Sequence, residues 1–205
     1  MKTIRLLSAA LVGITTLVVV VGLVRANRWS VRQEIDIAAP ASLIRPRVDS
    51  LQRWQEWLPS LKELDPKARH SWAGPQEGVG SSWSWLGTEL GRGKLTVVQS
   101  NPNVLVLDGE IESETVNAQS TLTFAATATG THITWLDEGS LPRPFGSYFK
   151  DSVEKQLNDY FGNGLAKLKS VSEAEQVRLV AQQQLIQQRA LDALDAGAPA
   201  DAGTR

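Results

Sequence analysis

Residues 53–86 read RWQEWLPSLKELDPKARHSWAGPQEGVGSSWSWL and hold five of the chain's seven tryptophans, at 54, 57, 72, 83 and 85. Pro59, Pro66 and Pro75 and the glycines at 74, 78 and 80 punctuate them. The order fits a short Trp-bearing helix, a Pro-bounded loop, a strand, a Gly-rich turn and a second strand. Aromatics of this size on so irregular a segment must pack against a shared core or a ligand.

Outward from this segment the pattern becomes regular. Upstream, WSVRQEIDI at 29–37 alternates Val31, Gln33, Ile35 and Ile37 with polar residues, a strand with one wet face. Ala39-Pro40 ends it, and Leu43, Val48, Leu51, Trp54 and Trp57 suggest short helices, with a break or first-turn position at Pro46. Downstream, strand signals recur at 81–86, 94–99, 104–112, 117–126 and 132–136, separated by short Gly and Asn-Pro turns. Consecutive strands on short turns predict an antiparallel meander. After the breaker at 141–144, Phe149, Val153, Leu157, Tyr160, Phe161, Leu165 and Leu168 recur at threes and fours, the stripe of a covering helix. Gly162 and Gly164 inside it imply close packing or a kink. Ser172-Glu173-Ala174-Glu175 has capping-box form, so a second helix is expected from 172 to about 194. Residues 196–205, AGAPADAGTR, read as a disordered tail. The domain plan is 1–28, 29–171, 172–195 and 196–205, in an α+β class.

The N-terminal run LLSAALVGITTLVVVVGLV at 6–24 has nineteen uncharged residues, enough for the ~30 Å of a bilayer core. Arg25 and Arg28 follow, and Trp29 is placed for the interface. A cleaved signal peptide is the alternative, although the run is long for one and Arg25 is a poor neighbour for a cleavage site. The charge comparison across the span is nearly balanced. An early signal-anchor and the lack of cysteine favour a single-pass membrane protein with a short cytoplasmic N-terminus and its domain on the extracytoplasmic side.

Composition narrows the chemistry. The formal net charge is −1 and no Lys/Arg cluster occurs, so nucleic acid is not an expected partner. With no cysteine and two histidines, thiol chemistry is excluded and a multi-His metal site is not expected. No cofactor motif is present: the glycines at 74, 78 and 80 lack the ending of a phosphate loop, and no GxSxG occurs. Asp108, Glu110, Glu112 and Glu114 alternate on what reads as a solvated strand face, and His70 and His132 read as exposed or satisfied. Asp137 and Glu138, at a strand end, are weaker candidates for orienting a ligand.

These residues resemble the SRPBCC superfamily, the START or helix-grip fold, and within it the polyketide cyclase/dehydrase branch, especially bacterial members with one N-terminal membrane span. IDIAAPASLI at 35–44, RWQEWLPSLKELDP at 53–66, GPQEGVGSSWSW at 74–85, GRGKLTVVQSNPNVLV at 91–106 and GTHITW at 130–135 carry the resemblance in order across residues 29–170. It implies a curved antiparallel sheet gripping a long C-terminal helix around a hydrophobic cavity. Trp54, Trp57, Trp83, Trp85, Trp135 and Phe149 are the expected ligand-binding residues. The resemblance implies no single activity. Membrane-anchored binding or transport of a hydrophobic small molecule or lipid comes first. A polyketide cyclase or dehydratase-type enzyme is the alternative, with no catalytic residue assigned. An interaction protein that uses the C-terminal helix, 172 to about 194, for self-association or for a partner is the second alternative. Leu43-Ile44-Arg45-Pro46 departs from the aromatic often found in the first helix of such proteins.

Overall fold

A computed structural model describes residues 2–111 and 116–197. The elements are α1 (Lys2–Val24), β1 (Arg28–Ile37), α2 (Ala41–Asp49), a 3₁₀ turn (Leu51–Glu56), α3 (Leu61–Leu64), β2 (Arg69–Ala73), β3 (Ser82–Leu86), β4 (Arg92–Asn101), β5 (Val104–Ile111), β6 (Val116–Ala126), β7 (Thr131–Ser140), a second 3₁₀ turn (Gly146–Tyr148) and α4 (Lys150–Gly197). All strand pairs are antiparallel, in the order β1-β7-β6-β5-β4-β3-β2. Strands β2 to β7 are therefore the expected meander, and β1 closes against the last of them. The architecture is α+β, an open sheet with one long helix laid on it.

Because side chains alternate across a strand, register sorts the inner face into rows. One row runs Leu105, Leu122, Trp135 and Gln33, and the next runs Val97, Leu107, Ser120, Asp137 and Val31. The apolar members of both rows are buried. Helix α4 covers the β1 side through Phe161, Leu165 and Leu168, and α2 with its 3₁₀ turn adds Ile44, Val48, Leu51, Trp54 and Trp57 to one core. Gly164 permits this approach: a Cβ there would meet Leu58 Cδ2 at 2.5 Å. The expectation of close packing at the mid-helix glycines is met at this position.

Several expectations are corrected. No second helix begins at Ser172: α4 runs unbroken from Lys150 to Gly197. The residues of the apparent capping box serve tertiary contacts instead. Ser172 is buried, Glu173 accepts the Ala38 N–H at 2.8 Å, and Glu175 pairs with Arg47. With its side chains engaged across the domain, the segment has no cause to restart. The expected boundary at 171/172 thus falls inside a continuous helix, and residues 198–205 of the expected tail lie outside the described residues. Pro46 does not interrupt α2. Burial of Ile44 and Val48 holds the helix through it, and Arg47 Nη1 donates to the Leu43 carbonyl at 3.0 Å. Strand β7 continues past Leu136 to Ser140, because Asp137 to Ser140 pair with both β1 and β6. Trp29, expected at a membrane interface, is buried in the sheet's inner layer. Glu112 and Glu114 lie outside the described residues.

Helix α1 contains one span, Leu6–Val24, that is long and apolar enough to cross a membrane. Only 6% of that window is buried by the rest of the chain, so the fold does not use it as core.

Candidate functional site

The inner face is packed at one end and open at the other. At the packed end Trp54, Trp57 and Trp135 form a triangle with ring centroids 5.4, 5.7 and 5.9 Å apart. Phe161 of α4 stacks on Trp135 at 4.2 Å. The triangle forms because the 3₁₀ turn puts Trp54 and Trp57 on one side while β7 turns Trp135 towards them. Trp54 Nε1 donates to Val48 O at 2.7 Å and Trp57 Nε1 to Arg47 O at 3.2 Å. The indole nitrogen of Trp135 finds no acceptor among the described residues. A cavity beside this cluster, lined by Trp54, Leu58, His70 and Trp83 among others, is only about 10 Å³. It holds at most a water. The sequence thus brings Trp54, Trp57 and Trp135 together as solid core.

The open end is the one at which β1 begins and β7 finishes. Here one inner row runs Trp83, Leu95, Gly109, Ala118, Gly139 and Trp29, and the row beyond it Trp85, Gly93, Ile111 and Val116. Trp83 and Trp85 share the face as the two-residue spacing requires, with rings 5.5 Å apart. Trp83 is buried, with its Nε1 3.3 Å from His70 Nδ1. Trp85 is half-buried and covers Gly93, where an added Cβ would lie 2.0 Å from its ring. Trp29 covers Gly139 in the same way, at 2.1 Å. Trp85, Leu95, Val116, Ala118, Leu141, Val153 and Leu157 pack on the core yet stay partly exposed. They make an apolar strip, with small residues as its floor and indoles at two edges.

One buried polar cluster lies just inside the strip. Asp137 Oδ1 accepts the Trp29 indole N–H at 2.8 Å, and Oδ2 accepts the Ser120 hydroxyl. All three residues are buried. Burial pushes the Asp137 carboxyl above the usual carboxylate range, against the opposing effect of its two hydrogen bonds. The sequence placed Asp137 at a strand end near a mouth. Its partners come from β1 and β6, and no spacing along the chain announces them.

The other candidates fall elsewhere. Phe149 is 62% exposed and sits in the 141–149 corner beyond the strip. His132 is on the outer face, 2.8 Å from Asp36 Oδ1. Two wider grooves have mixed walls: one of about 380 Å³ adjoins the strip at Trp85 and Gly93, with Leu86, Arg92, Lys94 and Glu110 around them, and one of about 400 Å³ lies between Arg47, Glu56, Val171, Ala174, Glu175 and Arg178. Among the described residues no three His, Asp or Glu side chains converge as a metal site requires.

Solved structures agree on the fold at low sequence identity. A protein of Chromobacterium violaceum, CV1439, is 14% identical with a TM-score of 0.52, covering 72% of this chain and 99% of its own. The norcoclaurine synthase of Thalictrum flavumn is 12% identical with a TM-score of 0.55, covering 73% and 96%. The di-domain ARO/CYC protein StfQ, from the steffimycin biosynthetic pathway, is 9% identical with a TM-score of 0.59. That match covers 73% of this chain and 52% of StfQ, so the chain spans about half of it. Comparison with curated proteins by sequence found no match. The sequence profile described as polyketide cyclase / dehydrase and lipid transport matches residues 28–173, most of the chain and the whole gripped sheet. The chain belongs to that family, with its helix-grip fold.

Proposed function

We propose that the protein binds or carries a hydrophobic small molecule or lipid at the open end of the helix grip, held at a membrane by α1. The apolar strip of Trp85, Leu95, Val116, Ala118, Leu141, Val153 and Leu157 carries this reading: it extends the core and stops short of closing. Covering it with an apolar ligand would remove surface from water at about 25 cal/mol per Å². Trp83 and Trp85 form one wall, and Trp54, Trp57 and Trp135 the packed backstop. The strip lies where α1 enters the domain, so a single-pass anchor in the inner membrane would hold it near lipids and lipid-soluble metabolites. We place the domain on the periplasmic side.

The family and the raised carboxyl of Asp137 favour a second reading, a cyclase or dehydratase-type enzyme in which Asp137 acts as a proton donor. A third reading, self-association through α4, draws on the exposed Val177, Val180, Ile186 and Leu191.

Native mass spectrometry of residues 27–205 tests the first reading. The first reading expects a co-purifying apolar adduct that is lost in Ala118→Trp, which fills the floor of the strip. A protein repeatedly empty of adduct would count against it.

A further inference from the structure

The C-terminal, domain-side end of α1 does not stand free of the domain. It is docked against the corner 141–149 that joins β7 to α4. Gly22 is buried in this contact, and a Cβ there would lie 2.4 Å from the Pro144 carbonyl oxygen. The Ser147 hydroxyl is 3.0 Å from Gly22 O and the Tyr148 hydroxyl donates to Val18 O at 2.6 Å. Val18 lies six residues before the end of the apolar run Leu6–Val24, about 9 Å along a helix axis. The corner therefore reaches back along the last turns of the span. It presents Phe145 and Phe149, 58% and 62% exposed, beside a Tyr148 that is 37% exposed. Basic groups gather at the same place. The Arg25 guanidinium sits 5.2 Å over the Tyr148 ring, and Arg143 Nη2 donates to Arg25 O at 3.4 Å.

Aromatics flanked by arginines, level with the end of a hydrophobic helix, match the chemistry of a bilayer interface: rings at the glycerol level, guanidinium groups among lipid phosphates. A water-exposed site would leave two phenylalanines bare beside a helix that is itself bare. We propose that the 141–149 corner is a second membrane-contacting element, inserting Phe145, Tyr148 and Phe149 into the same leaflet as the end of α1, with Arg25 and Arg143 on anionic headgroups. This rests on the reading of α1 as a membrane span. Its consequence is orientation: Leu141 and the open strip are turned towards the bilayer, and a ligand passes between lipid and grip without crossing bulk water.

The chain has no cysteine, so single-cysteine variants report cleanly. Phe145→Cys, Phe149→Cys, Thr15→Cys in mid-span and Gln188→Cys on exposed α4 are each spin-labelled in the full chain. Each is reconstituted in vesicles of seven parts phosphatidylcholine to three of phosphatidylglycerol. Collision with oxygen and with a water-soluble nickel chelate gives depth. The expected result is Thr15 deep, Gln188 aqueous, and 145 and 149 about 5–10 Å below the phosphates, the depth of interfacial elements. Aqueous labels at 145 and 149 with Thr15 deep would overturn the corner's insertion while leaving the anchor intact. An aqueous Thr15 would overturn both. Dipolar broadening between copies at 145 and 149, without lipid exposure, would assign the patch to a dimer contact and also overturn the proposal.

Discussion

The indole N–H of Trp29 donates to the carboxylate of Asp137 at 2.8 Å, joining the first residue buried after the anchor to the last sheet strand. The two lie 108 residues apart, and the bond decides where the polar edge of the core falls. Asp137 is costly to ionise there, since desolvation outweighs the help of Trp29 and Ser120.

A carboxyl raised above its unfolded value contributes stability that is fully present below about pH 4, its unfolded range. That contribution is lost as pH rises through the raised value. Asp137→Asn keeps the geometry, with its amide oxygen accepting from Trp29 and its amide N–H donating to Ser120. We expect the variant to flatten the rise in stability towards acid that the wild type shows from this group. Urea unfolding at several pH values measures it. Asp137→Ala leaves the Trp29 N–H unpaired and should cost about 1–3 kcal/mol.

The tryptophan triangle separates packing from hydrogen bonding. Trp54→Phe loses both indole volume and the 2.7 Å bond to Val48 O. Trp135→Phe loses volume but also removes a buried donor without an acceptor. We expect Trp54→Phe to be the more destabilising by about 1 kcal/mol, and Trp54→Ala to cost about 3–5 kcal/mol. Denaturant midpoints at constant m-value test both.

Asp65 is a local staple for the β3–β4 turn. Its carboxylate accepts the backbone N–H groups of Glu89 at 2.8 Å, Lys67 at 3.1 Å and Leu90 at 3.3 Å. These bonds, that from Glu89 foremost, hold it below the usual carboxylate range. A depressed carboxyl stabilises above its unfolded value and loses that contribution as pH falls through the folded one. Protection factors of the amides in residues 87–91, corrected for the slowing of intrinsic exchange towards acid, should therefore fall on acidification before those of the core strands. Asp65→Asn should remove that step.

The far half of α4 is an exposed continuation of a packed helix. Glu173 and Glu175 reach Ala38 and Arg47, whereas Leu185, Ile186 and Leu191 are exposed. Truncation after residue 182 should change domain stability by less than about 0.5 kcal/mol, in line with changes away from packed sites. Truncation after residue 171 should lower it measurably. Comparing thermal unfolding of the two shows where the domain ends.

Much of this was legible in local pattern. Alternation placed the strands, the threes and fours of Val153 to Leu168 placed the covering helix, and the ordered motifs pointed to the helix grip, because period and turn chemistry act within a few residues. The pairs Trp54/Trp57 and Trp83/Trp85 were legible as shared faces for the same reason. Which pair would be sealed and which left at an opening was not legible. That depended on Phe161 stacking on Trp135, and on Gly109, Ala118 and Gly139 coming level from three strands. Trp29 could as well have faced lipid by its position after the span, until Asp137 arrived from β7. A capping-box sequence at 172 could as well have begun a helix, until Ala38 and Arg47 took its glutamates. Periodicity is a one-dimensional property and belongs to the chain. Burial, pairing and the choice between core and mouth depend on what arrives from a hundred residues away, and only the assembled sheet and helix decide them.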